Sequence, residues 1–150
     1  MGEKTKIIDF IHIQLKERYK TFGLFGPAMS GKSELAKKLA DKTGAVYMDL
    51  LAEFVSNSDL RSNIDTFEPQ DLKDYLRRVA FNGRLIIVDN IDFLINTWNN
   101  LSKEHFLNFI DKDEYMMAYC FILQESKFIR ESNMVNSIGQ NRILNVYNVE

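Results

Sequence analysis

The chain has 150 residues, 45% of them hydrophobic and 27% charged, with a net charge of −2. That length suits one compact domain with a buried core, and two prolines and seven glycines leave little room for a long flexible linker. The charge balance argues against a protein that binds nucleic acid over its whole surface, and a single cysteine, Cys120, excludes a disulfide framework.

The opening residues, MGEKTKIIDF, carry neither the apolar stretch nor the cleavage site of a signal peptide. No apolar run reaches membrane-spanning length, so a cytoplasmic location is expected. Ile7, Ile8, Ile11 and Leu15 share one face at helical spacing, which predicts an amphipathic helix over about residues 4–18. TFGLFGP follows as a short apolar strand that runs into a glycine turn. Leu35, Ala36, Leu39 and Ala40 then repeat at helical period, with Gly44 as a stop. AVYMDLLAEF reads as a second strand that frays into a turn. Pro69 suits the first turn of a helix carrying Leu72, Leu76 and Val79 and ending near Gly83. RLIIVDN is a third strand, apolar enough to be covered on both faces. Ser102 to Ile110 reads as helical, MAYCFILQ as a fourth strand, SKFIRESNMVNSIG as helical in part, and RILNVYNV as a fifth strand. Helices alternating with strands predict an α/β three-layer sandwich on a mostly parallel five-stranded sheet, preceded by an N-terminal helix.

Two stretches carry chemistry. GPAMSGKS, Gly26 to Ser33, fits the phosphate-binding pattern G-x-x-x-x-G-K-S, after a strand and ahead of a helix. Gly26, Pro27, Ala28, Met29 and Ser30 form the loop; Gly31, Lys32, Ser33 and Glu34 open the helix. Glycines let the backbone approach an anion closely, and the loop amides and the helix N-terminus present donors to it. Lys32 is placed to reach β- and γ-phosphates, and the Ser33 hydroxyl to ligate Mg²⁺. ATP with Mg²⁺ is the expected ligand pair.

The second stretch is RLIIVDNID, Arg84 to Asp92. Asp89, at a strand end, suits the metal-binding carboxylate that accompanies such a loop. Asn90 stands where many ATPases of this plan carry a glutamate that polarises the attacking water. A carboxamide orients water without accepting its proton. Asp92 offers a carboxylate two residues on, or serves as a helix cap. Gln124, at the end of the fourth strand, either feels the γ-phosphate or is a surface amide. Five strands permit an order with one strand inserted between the loop strand and the Asp89 strand, and Gln124 would then lie on the inserted one.

These residues resemble the AAA+ and STAND nucleotide-binding cores. GPAMSGKS is similar to their Walker A motif, IIVDNID to their Walker B motif, and Gln124 in ILQES to their first sensor. The resemblance spans nearly the whole chain and implies one domain, residues 1–20 as an N-terminal helical segment and 21–150 as the core, without the helical lid of AAA+ proteins. It also implies that Arg142, with Arg130 second, is a candidate arginine finger acting on a neighbouring subunit; a surface arginine is the plainer reading of either. A small core of this kind is similar to the small P-loop proteins of bacterial BREX phage-defence systems, the BrxF type. That likeness implies a nucleotide-binding subunit that works with itself or with larger defence partners. DNA would be touched only indirectly: Lys73, Arg77 and Arg78 share a helix with Asp71 and Asp74, which reads as a solvated face. Three functions fit these residues: an assembly-controlling ATPase with weak turnover, a P-loop kinase for a small molecule, and an adaptor with a vestigial site.

Overall fold

The computed structural model describes residues 4–79 and 83–150. Its centre is a five-stranded sheet of β1 (Phe22–Gly26), β2 (Val46–Asp49), β3 (Leu85–Asp89), β4 (Ala118–Gln124) and β5 (Ile143–Asn145). All pairs are parallel, in the order β2-β3-β4-β1-β5. β4 therefore separates β1 from β3, the inserted-strand arrangement. The five residues of β3 are all buried, as are the first six of β4, because helices cover both faces.

One face is packed by α1 (Ile7–Gln14) and α2 (Lys32–Thr43), whose Phe10, Ile11, Ala36 and Leu39 meet Phe22, Leu24 and Ile87. The other is covered by α3 (Leu50–Ser56), α4 (Ser58–Ser62), α5 (Pro69–Arg78), α6 (Asp92–Ile95), α7 (Asn100–Lys112) and α8 (Lys127–Arg130). Its core is aromatic: Phe106 lies between Trp98 and Phe121 at centroid distances of 5.4 and 5.1 Å. Trp98 is 5% exposed and its indole N–H donates to the Phe67 carbonyl at 2.7 Å, so its one polar atom is satisfied.

The α/β expectation holds, and several element ends differ from the sequence reading. α1 stops at Gln14, four residues early, because the Gln14 amide turns back to the Tyr19 carbonyl at 2.6 Å and the chain bends beneath it. The second strand leads into a helix instead of a turn: the Asp49 carboxylate accepts the Ala52 N–H and caps α3. α5 ends at Arg78, and the expected end near Gly83 is approached through residues 80–82, outside the described residues. β5 is only three residues long, because the Asn145 side chain accepts the Tyr147 N–H at 3.0 Å and winds Val146–Asn148 into a 3₁₀ turn. Thr5 pairs in parallel with Val149, which ties the segment ahead of α1 to the end of the core.

Candidate functional site

The C-terminal ends of β1, β3 and β4 open on one cleft of about 600 Å³, lined among others by Met29, Ser30, Lys32, Asp89, Asp92 and Gln124. β1 delivers the chain to Gly26, where no side chain fits: a Cβ would stand 2.5 Å from Val146 Cγ2 and 2.9 Å from Ser30 Oγ. The loop then turns through Met29, at φ +61° and fully exposed, and Gly31, at φ +82°. Gly31 precedes α2, and among the described residues no side chain caps that helix, so its first N–H groups face the cleft as donors. Lys32 Nζ donates to the Gly26 and Pro27 carbonyls at 3.0 and 2.6 Å, which folds its ammonium over the loop. The Ser30 hydroxyl is buried without a hydrogen-bond partner among the described residues.

β3 brings Asp89 to the other wall, 3% exposed. Its Oδ1 accepts the Asn90 N–H at 2.8 Å, and its Oδ2 accepts the hydroxyl of Tyr47, on β2, at 2.5 Å. Burial, then the Asp89 carboxylate, pushes the Tyr47 phenol well above its ordinary range, so it stays a donor. Tyr47 is the site residue that sequence reasoning missed. A tyrosine in an apolar strand reads as core, and only the strand register reveals its reach.

Asn90 has φ +57°, in the left-handed region where asparagine is tolerated and glutamate is strained. The unexpected residue in the Walker B stretch thus has a conformational reason. Asp92 opens α6 and its Oδ1 accepts the Gln124 N–H at 2.8 Å. Burial raises the Asp92 carboxyl above its ordinary value, and the Asp89 charge adds to this; the Gln124 N–H and the Lys32 charge act the other way. Gln124 pairs in register with Gly26, and Glu125 N–H donates to the Gly26 carbonyl at 2.9 Å. The start of the loop, the turn after β3 and the end of β4 therefore meet within one hydrogen-bonded rim.

Arg142 does not belong to this rim, and the finger reading of it is corrected. It lies just before β5, at the opposite end of the sheet, and is 1% exposed. Its guanidinium donates to the carbonyls of Thr21 and Ile110 at 3.0 Å each, and to the Asp111 carbonyl and carboxylate at 2.9 and 2.6 Å. An arginine so committed cannot reach a neighbouring subunit. Arg130, on α8 beyond the end of β4, is exposed, with its side chain 3.5 Å from Glu125. Lys73 and Arg77 are not a free solvated face: both pair with the buried Asp113, and Arg77 lies over the Tyr115 ring at 4.3 Å.

An uncapped helix start, an orphaned serine hydroxyl, a lysine over the loop and a buried carboxylate across from them form a donor and ligand set that fits a polyphosphate with a divalent cation. The fold and cleft define a P-loop nucleotide-binding domain of the inserted-strand class. The chain belongs to the AAA family, the ATPases associated with various cellular activities, whose profile matches residues 22–139. It is also 34% identical over 71 residues to a cytidylate kinase of Protochlamydia amoebophila, covering 46% of this chain and 31% of that protein. It is 30% identical over 97 residues to a bifunctional pantoate ligase/cytidylate kinase of Prochlorococcus marinus, covering 63% of this chain and 19% of that protein. The chain thus spans less than a third of the length of the curated relatives it matches. None of the described helices is long and apolar enough to cross a membrane.

Proposed function

We propose that this protein is an ATP-binding AAA subunit whose nucleotide state controls assembly with copies of itself or with larger partners, with slow or neighbour-assisted hydrolysis. The observation that carries this reading is the convergence of a complete phosphate loop and Asp89 on a cleft where the water-polarising position holds Asn90. In this reading the loop from Gly26 to Glu34 binds the phosphates, Lys32 neutralises the β- and γ-positions, and Ser33 and Asp89 hold Mg²⁺. The bound ion would supply charge neutralisation across the phosphates. Gln124 orients the γ-phosphate side, and Asp92 is the carboxylate available to take a proton from water. Arg130, exposed at the same edge of the sheet, is the remaining candidate for a contact with a neighbour's nucleotide. The likeness to small BREX P-loop proteins extends the proposal to phage defence in the bacterial cytoplasm, with larger defence proteins as partners.

The second reading is a small-molecule kinase, favoured by the identity to two cytidylate kinases. Against it stands the strand order, in which β4 and Gln124 lie between the loop and Asp89.

ATP binding and turnover measured together with Mg²⁺ across a protein concentration series, beside Lys32→Ala, test the proposal. Lys32-dependent binding with turnover that is near zero when dilute, or that rises with concentration and is lost in Arg130→Ala, is the expected result. Phosphoryl transfer to CMP would establish the kinase instead, and absence of binding would leave the adaptor.

A further inference from the structure

The phenol of Tyr47 has no part in the phosphate loop or in the Walker B stretch, yet it touches the carboxylate at the centre of the site. In the parallel register Tyr47 lies beside Ile87, and Asp89 is two residues further along on the same face of β3. This diagonal lies within reach of a long side chain. Met48, the next residue, turns into the opposite core. The ring is held from above by α2, with Lys37 Nζ 5.5 Å from its centroid.

We infer that Tyr47 is a positioning residue for metal binding: its hydroxyl fixes the Asp89 carboxylate in the orientation that receives the cation and its water shell. This rests on the nucleotide reading above. Asp89 is nearly fully buried, so its orientation is set by the donors around it, and the described residues provide two. The Asn90 N–H holds Oδ1. Without Tyr47, that single backbone bond would be left to resist rotation of the whole carboxylate about the Cβ–Cγ bond. A phenol suits the task because it is neutral: it orients the carboxylate without consuming its charge. Each carboxylate oxygen accepts about two bonds, so Oδ2 keeps a lone pair for a metal-bound water. Tyr47 thereby joins β2 to the carboxylate assigned to the metal on β3.

Tyr47→Phe removes the hydroxyl and keeps the ring and its contact with Lys37. Binding of a fluorescent ATP analogue is measured in EDTA and over a Mg²⁺ titration, for the native chain and the variant, with thermal unfolding alongside. The expected result is an unchanged affinity in EDTA and a half-saturating Mg²⁺ concentration raised about tenfold, the scale of losing an outer-shell partner of a metal ligand. In an Asp89→Ala background the same substitution should change the Mg²⁺ dependence no further. Superimposable Mg²⁺ titrations, or an equal loss of affinity with and without Mg²⁺, would overturn the inference and leave nucleotide binding standing. If the native chain binds no analogue in a Lys32-dependent way, the nucleotide reading itself fails, and the role of Tyr47 falls with it.

Discussion

The carboxylate of Asp92 accepts the backbone N–H of Gln124 at 2.8 Å, so the turn after β3 is fastened to the end of β4. Burial makes ionised Asp92 costly, and its carboxyl titrates above the ordinary value in the folded chain. The folded state then holds its proton to higher pH than the unfolded state, so this group makes stability fall as pH rises through the interval between its ordinary and raised values. Asp92→Asn keeps an acceptor for Gln124 and removes the charge. Its thermal midpoint should exceed that of the native chain at neutral pH, and the gain should vanish below the ordinary carboxylate range. Unfolding curves across pH check this; a difference independent of pH would refute it.

Asn90 at φ +57° predicts an ordering among substitutions. Asn90→Gly should match or exceed the native chain in stability, since glycine adopts this backbone freely. Asn90→Glu should lose about 1 kcal/mol, the scale of the left-handed penalty for an ordinary side chain. Denaturant unfolding of the two variants measures both, and a Glu variant as stable as the native chain would show that the turn relaxes.

Gly26 is pressed between Val146 and Ser30. Gly26→Ala should displace the start of the loop, costing about 1–3 kcal/mol of stability, typical of overpacking. ATP affinity should weaken with it. Gly31→Ala meets open space and is expected to suffer from backbone strain instead, at φ +82°. Calorimetric titration with ATP, together with melting curves, separates the two effects.

Arg142 gathers carbonyls from the chain before β1 and from the end of α7. Arg142→Met leaves these acceptors unpaired, and should cost about 3 kcal/mol and lower the thermal midpoint by roughly 10 °C. Below that midpoint, ATP binding should persist. Loss of binding with unchanged stability would contradict the structural role given to this arginine.

The helix-strand alternation was legible because the central strands β3 and β4 are apolar on both faces and the longer helices repeat apolar residues at helical period. The phosphate loop and Asp89 were legible because their chemistry is local: a glycine pattern before a helix, a carboxylate after four apolar residues. Arg142 was misplaced because only the end of the strand on which a residue sits tells whether it faces the cleft. Its nearness to β5 is a fact of sequence; its position at the far end of the sheet is a fact of direction. Tyr47 was hidden for a related reason, since pairing between β2 and β3 is a long-range property that spacing does not encode. The short ends of α1 and β5 were set by side-chain bonds from Gln14 and Asn145 that compete with the backbone ladder.

Trp98 is the sole indole in the chain. It sits against Phe106, in the layer opposite α2 and the phosphate loop. Its emission is therefore a built-in optical gauge of the helical layer around α7, insulated by the sheet from events at the loop. A spectral change on adding ATP would mean that ligand binding is felt across the sheet, and a silent spectrum would mean that the two faces answer separately.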